Sequence, residues 1–196
     1  MSNQIDFYFD IISPFSFIAH KKIQKINQSK NIIFNYKPIF LGGLHKLAEI
    51  DAPAFNKYKI KILQSDCELV AEKNNIPFIW NSKFPINSLY LMRGYLFVEK
   101  EIKENYIDLF FNAYWRDNLD LSDETEITKI LKILNLDSKK FFEGINNQLI
   151  KDQLKELTNK AFEKELFGAP TFVANNKIFW GQDRLEYAIE ELNLIK

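Results

Sequence analysis

Two serines separated by two residues, Ser13 and Ser16, follow a short apolar segment near the start of the chain. The preceding residues, 6–12, are mostly aromatic or aliphatic, which is typical of a buried strand. Ser13 and Pro14 favour a helix start, because serine accepts hydrogen bonds from the first turn and proline fits its first position. A strand that runs straight into a helix leaves unpaired N–H groups and the positive end of the helix dipole there. This point suits an anion, a thiolate or a carboxylate. The commoner explanation for Ser13–Pro14 is that it serves only as an ordinary helix cap.

The elements that must position these serines begin with a strand–helix–strand unit. Residues 31–39 alternate loosely and predict a second strand, with Pro38 at its end or on a sheet edge. Such a unit favours parallel strands joined by a right-handed crossover. Apolar residues at three- and four-residue spacing then predict helices over 54–75, 87–100, 105–115 and 153–165, with Ser122 and Asp137 capping two more.

The last thirty residues return to mixed structure. Residues 171–174 and 177–180 predict two strands joined by a tight turn at Asn175–Asn176, and residues 184–192 predict a final helix. The order β-α-β, helical block, β-β-α predicts an α/β thioredoxin-like fold with a large all-helical insertion. We place the thioredoxin-like domain at 1–43 and 166–196, and the helical insertion at 44–165.

Composition excludes several classes of function. The 196 residues carry 26 basic and 26 acidic side chains, so no nucleic-acid or polybasic membrane surface is indicated. The single cysteine, Cys67, excludes an intrachain disulfide and a cysteine-based metal cluster. No stretch approaches the roughly 20 apolar residues of a membrane span, and the N-terminus lacks a secretory signal pattern. We therefore expect a soluble, cytoplasmic protein that holds no metal.

Three loops meet at the start of the first helix in a fold of this type. They are the Ser13 loop, the turn at Ala169–Pro170 and the turn into the last helix at Asp183. The position of Pro170 predicts a cis peptide bond, which leaves the Ala169 backbone free to pair with an extended peptide. Asp183 either caps the last helix or receives an ammonium group. Glutathione has one ammonium, two carboxylates and a thiol, so its functional groups match these loops.

Six motifs run through the whole chain in one order: residues 6–17, 40–43, 84–87, 113–115, 167–172 and 179–185. In these motifs the chain resembles the 2-hydroxychromene-2-carboxylate isomerase family. The last motif, Phe179-Trp180-Gly181-Gln182-Asp183-Arg184-Leu185, is the most specific. The wider group includes kappa-class glutathione transferases and disulfide oxidoreductases of the same fold.

The resemblance implies a glutathione-dependent isomerase that interconverts 2-hydroxychromene-2-carboxylate and trans-o-hydroxybenzylidenepyruvate in aromatic compound catabolism. Ser13 would be catalytic, hydrogen-bonding the glutathione sulfur and lowering its pKa so that the thiolate adds reversibly to the substrate double bond. Lys46 and Asn87 would hold the substrate. A homodimer is also implied. The residues implied to hold glutathione are Ser13, Ala169, Pro170, Gly181, Gln182, Asp183 and Arg184.

One stretch departs from the family pattern. Where relatives often have a glycine–asparagine loop whose asparagine touches ligand, this chain has Glu49-Ile50-Asp51-Ala52-Pro53, and isoleucine cannot make that hydrogen bond. A kappa-like glutathione transferase and a non-catalytic thiol- or peptide-binding protein therefore stay open as alternatives. A disulfide oxidoreductase is excluded, because serines occupy both cysteine positions.

Overall fold

The computed structural model describes residues 3–27 and 32–193 and contains a four-stranded mixed sheet of order β2-β1-β3-β4. β1 pairs in parallel with β2 and antiparallel with β3, and β4 pairs antiparallel with β3. Pro38 ends the edge strand β2, as predicted, whereas residue 31 lies outside the described residues. The strands are β1 (Gln4–Phe9), β2 (Ile33–Pro38), β3 (Thr171–Ala174) and β4 (Lys177–Trp180).

Aromatic side chains of β1 fix the centre of this sheet. Phe7 lies opposite Phe172 in the register, and their rings stack with centroids 5.3 Å apart. Phe7 and Phe9 are both fully buried, and each buried ring contributes about 1.5–3 kcal/mol relative to an exposed one. Asn175 and Asn176 both have positive φ angles, which confirms the tight turn predicted between β3 and β4.

Helices surround the sheet and fill the middle of the chain. Short 3₁₀ turns at Pro53–Phe55, Lys100–Ile102 and Gln182–Arg184 precede α3, α5 and α9. The helices are α1 (Pro14–Asn27), α2 (Leu41–Leu47), α3 (Lys59–Lys73), α4 (Leu89–Phe97), α5 (Lys103–Trp115), α6 (Glu124–Ile133), α7 (Ser138–Ile145), α8 (Gln148–Glu163) and α9 (Leu185–Asn193). Within residues 3–27 and 32–193, none is long and apolar enough to cross a membrane.

The structure corrects one predicted helix cap. Asp123, not Ser122, caps α6, because its carboxylate accepts a hydrogen bond from the Thr125 amide at 2.8 Å. The Ser122 hydroxyl instead donates to Asp120. The prediction that Asp137 caps α7 is confirmed, since its carboxylate accepts from the Lys140 amide.

The helical block and the sheet share one hydrophobic core. Phe17 of α1 packs against Phe111 of α5, with ring centroids 5.9 Å apart. Trp115, fully buried at the end of α5, donates from its indole Nε1 to the Ile11 carbonyl at 2.8 Å. The helical block thereby fixes the loop that precedes Ser13. The thioredoxin-like fold is confirmed, whereas the division into domains at residues 43 and 166 stays a prediction.

Candidate active site

Ser13 lies in the turn between β1 and α1 and links two loops that are far apart in the sequence. Its Oγ accepts a hydrogen bond from the Ser16 amide at 3.1 Å, which confirms the predicted helix cap. The same hydroxyl donates to the Ala169 carbonyl at 2.9 Å. Ser13 is 4% exposed and lines a cavity, so its hydroxyl is reachable by a small ligand but is largely shielded from water.

The Ala169–Pro170 peptide bond is cis, as predicted from its position. The Pro170 carbonyl accepts a hydrogen bond from the Gly181 amide at 2.9 Å, which ties this turn to the one before α9. Gly181 has φ = 111°, and a Cβ there would come within 2.5 Å of the Asp183 carboxylate. Glycine is therefore required at this turn. The three loops predicted to converge on Ser13 do meet.

A cavity of about 790 Å³ opens in front of Ser13. Most of its lining is aromatic or aliphatic, including Phe15 and Trp180. Such a lining suits a largely apolar ligand with a few polar groups. The polar side chains that line it are Ser13, His45, Asp51, Lys59, Asn87 and Ser88.

A second cavity of about 480 Å³ adjoins the first, because Phe15, Ala169 and Trp180 line both. The remaining lining of this cavity comes from Asp66, Val70, Pro170, Gly181, Gln182, Asp183 and Arg184. It therefore combines two carboxylates with one guanidinium group. Such a charge set is complementary to a zwitterion.

Lys22 of α1 supports the loop that forms this second cavity. Its Nζ donates to the Gln182 Oε1 at 2.6 Å, and Gln182 is buried. Burial lowers the pKa of Lys22, while the nearby carboxylates of Glu186 and Asp183 oppose that shift. The first helix therefore carries Ser13 at its start and a positive charge two turns later, beneath the loop of Asp183.

The structure separates the two predicted substrate-binding residues. Asn87 lines the large cavity, whereas Lys46 is exposed on α2 and lines neither cavity. Its neighbour His45 lines the large cavity instead, and burial lowers the pKa of that imidazole. The substrate roles of Asn87 and Lys46 stay predictions.

Sequence reasoning missed two charged residues of α3 that line the cavities. Lys59 lies at the large cavity and Asp66 at the small one. Their seven-residue spacing places them on one face of the helix, two turns apart. The spacing can be seen in the sequence, but the sequence does not indicate which face of the helix lines the cavities.

The fold and this site define a thioredoxin-type protein with serines in place of the reactive cysteines. Residues 4–193 match the DSBA-like thioredoxin domain, and the chain belongs to that family. It is 26% identical to a 2-hydroxychromene-2-carboxylate isomerase of Sphingobium xenophagum over 95% of this chain and 96% of that protein. It is also 26% identical to glutathione S-transferase kappa 1 of Caenorhabditis elegans, over 92% of this chain and 87% of that protein.

Solved structures show the same relationship. The fold matches that of a 2-hydroxychromene-2-carboxylate isomerase with a TM-score of 0.89 and 25% identity, covering 98% of this chain and 95% of that one. The Pseudomonas aeruginosa cytosolic disulfide reductase DsbM, solved with GSH, shares the fold with a TM-score of 0.66 and 10% identity, covering 98% of each chain. The resemblance to the isomerase family is thereby confirmed across the whole length of the chain.

Proposed function

We propose that this protein is a glutathione-dependent isomerase acting on 2-hydroxychromene-2-carboxylate or a related intermediate of aromatic compound catabolism. The observation that carries the proposal is the position of the Ser13 hydroxyl. It lines a large apolar cavity and hydrogen-bonds to Ala169, which is shared with a smaller, charged cavity. The similarity to isomerases over almost the whole chain supports the same reaction class.

The residues of the smaller cavity fit glutathione by their chemistry. The carboxylates of Asp66 and Asp183 are suited to its ammonium group, and the guanidinium of Arg184 is suited to a carboxylate. Phe15, Ala169 and Trp180 line both this cavity and the one that Ser13 lines, whereas Pro170 lines this cavity alone. Bound here, glutathione supplies a thiol that, once ionised, adds reversibly to a conjugated double bond and allows rotation about it.

The proposed task of Ser13 is to hold the glutathione sulfur in its ionised form. Its Oγ already accepts the Ser16 amide, so its single proton is the group that it can offer. That proton points to the Ala169 carbonyl at 2.9 Å, and a short rotation of the hydroxyl turns it towards a neighbouring sulfur. The N–H groups and dipole of α1 add to the stabilisation of negative charge at this point.

The large cavity is the proposed substrate site. Its apolar walls exclude water from an aromatic ring, and Asn87 and Lys59 offer donors to a carboxylate or an oxyanion. His45 lines the same wall, with a lowered pKa that favours the neutral imidazole at pH 7. Lys59 is better placed than Lys46 to meet the substrate, because only Lys59 lines the cavity.

A kappa-like glutathione transferase is the second candidate. The 26% identity to a kappa-class transferase over 92% of the chain favours it. Both reactions use the same serine and the same cofactor, but a transferase releases a conjugate and an isomerase returns glutathione unchanged. Product analysis therefore separates them.

Glutathione binding is tested by isothermal titration calorimetry of Asp183→Asn. Because Asp183 is exposed, we expect its loss to cost about 0.5–1 kcal/mol, a two- to fivefold rise in Kd. Glu186→Gln is the matched control, since this carboxylate also faces Lys22 but lines neither cavity. Equal affinity in Asp183→Asn and wild type would place glutathione elsewhere.

We further propose that the protein is a cytoplasmic homodimer. An apolar stripe along α3 supports the dimer, because Tyr58, Ile62 and Leu69 recur at helical spacing and are 51–70% exposed. Exposed apolar side chains that lie next to one another often mark a protein–protein interface, whereas isolated ones are common on any protein surface.

A further inference from the structure

Asp10 lies buried beneath the candidate site and joins three segments of the chain. It follows β1 directly and is 0% exposed. Its Oδ1 accepts from the Ile12 amide at 3.1 Å. Its Oδ2 accepts from the Leu41 amide at 2.8 Å and from the Ser88 hydroxyl at 3.0 Å. One carboxylate therefore accepts hydrogen bonds from positions 2, 31 and 78 residues further along the chain.

Each of these segments supplies residues to the large cavity. Ile12 is followed by Ser13, whose amide donates to the Asp10 carbonyl at 3.0 Å. Leu41 begins α2, the helix that carries His45, and Ser88 follows Asn87. The side chain and the backbone of Asp10 thus connect the Ser13 turn to both walls that face it.

Burying a carboxylate has an unfavourable free energy, which a purely structural connection does not require. All three donors are uncharged groups, and burial raises the pKa of Asp10 to about 6. A buried charge without a cation is disfavoured relative to a neutral side chain of the same shape. An ionised carboxylate accepts hydrogen bonds on both of its oxygens, whereas a neutral amide accepts on only one. The three converging donors require both acceptors.

We propose that Asp10 is a positioning residue that fixes the Ser13 turn at a set distance from α2 and Asn87, so that cofactor and substrate meet in the productive geometry. This rests on the proposed isomerase function. Asp10→Asn keeps the volume but turns one oxygen into a donor, which then faces either the Ile12 amide or the Leu41 and Ser88 pair. At least one of the three connections is therefore lost, while the rest of the fold is kept.

The test measures kcat and KM for isomerisation together with the Kd for glutathione. Asp10→Asn is expected to lower kcat by about 10- to 100-fold, because small displacements of reacting groups cost that much. The Kd for glutathione should stay within about twofold of the wild-type value, since Asp10 lines neither cavity. Ser88→Ala removes one donor and should give a smaller loss.

Asp6→Asn is the matched control. Asp6 lies on β1, the strand that Asp10 follows, and contacts Asn35 and Lys37 rather than the cavity loops, so this variant should keep the wild-type kcat. A kcat of Asp10→Asn within twofold of wild type, or an equal loss in Asp6→Asn, would overturn the proposal. Should Asp10→Asn fail to fold, Ser88→Ala decides, and an unchanged kcat in that variant has the same meaning.

Backbone NMR keeps the two proposals distinguishable. If the wild-type protein shows no glutathione-dependent turnover, the proposed function fails, and the role of Asp10 is decided by the amide signals of Asp10→Asn. Shifts at Ser13, Leu41 and Asn87 together would support it. Shifts confined to Ile12 would overturn it.

Discussion

Replacing Ser13 with alanine separates the capping role of this residue from its proposed role at the glutathione sulfur. The variant loses the hydrogen bond from the Ser16 amide and the one to the Ala169 carbonyl. Loss of an N-cap costs about 0.5–2 kcal/mol of stability. We therefore expect a modest fall in the free energy of unfolding, which says nothing about catalysis.

The catalytic effect is of a different kind. A hydrogen bond to a charged group is worth about 1.5–3 kcal/mol, which is about one to two pKa units at 1.36 kcal/mol per unit. A bound thiol whose pKa is about 6.5 is mostly ionised at pH 7, whereas one near 8.5 is about 3% ionised. Ser13→Ala should therefore turn over about 3- to 25-fold more slowly at pH 7, for a shift of one to two pKa units, and the deficit should shrink as the pH rises towards 9.

The assay is thiolate absorbance of the glutathione complex, titrated against pH in wild type and in Ser13→Ala. Asn147→Ala is the control, because Asn147 caps α8 through the Leu149 amide and lines neither cavity. This control should lose similar stability but keep the wild-type titration and turnover. If the curves of wild type and Ser13→Ala coincide, Ser13 is a helix cap only and the proposed mechanism is wrong.

Three further predictions concern other residues. The pKa of Asp10 is raised from 3.8 to about 6, so its stabilising contribution is fully present below about pH 3.8 and is lost as the pH rises through 6. In urea titrations the stability of wild type relative to Asp10→Asn should thus fall by roughly 2 kcal/mol between pH 4 and pH 7, and a constant difference would refute this. Lys59→Met should raise the substrate KM about two- to fivefold while Lys46→Met leaves it unchanged, and the opposite result in steady-state kinetics would restore Lys46 as the substrate ligand. Ile62→Glu should shift the mass measured by sedimentation from dimer to monomer, and an unchanged mass would exclude the α3 stripe from the interface.

Local signals in the sequence were enough to predict the start of α1 and the turn between β3 and β4. A serine–proline pair defined the start of α1, and paired asparagines that tolerate positive φ defined the turn after Ala174. These features depend on residues close together in the chain. The same local reasoning failed at α6, because Ser122 and Asp123 are both good caps and only the structure shows which of them accepts the Thr125 amide.

Contacts between distant segments could not be predicted. Lys46 and its neighbour His45 differ by about 100° around the helix axis, so the choice of cavity-lining residue depends on how α2 packs. The partners of Asp10 lie up to 78 residues away, and a lone buried carboxylate leaves no periodic signal in a sequence. The large cavity itself is formed by segments from both ends of the chain and from the helical block.

Product analysis distinguishes a glutathione-dependent isomerase from a transferase. The protein is incubated with 2-hydroxychromene-2-carboxylate, with and without glutathione, and the mixture is analysed by chromatography and mass spectrometry. We expect trans-o-hydroxybenzylidenepyruvate to appear only when glutathione is present, and glutathione not to be consumed. Accumulation of a stable glutathione conjugate, or isomerisation that proceeds equally well without glutathione, would contradict this expectation.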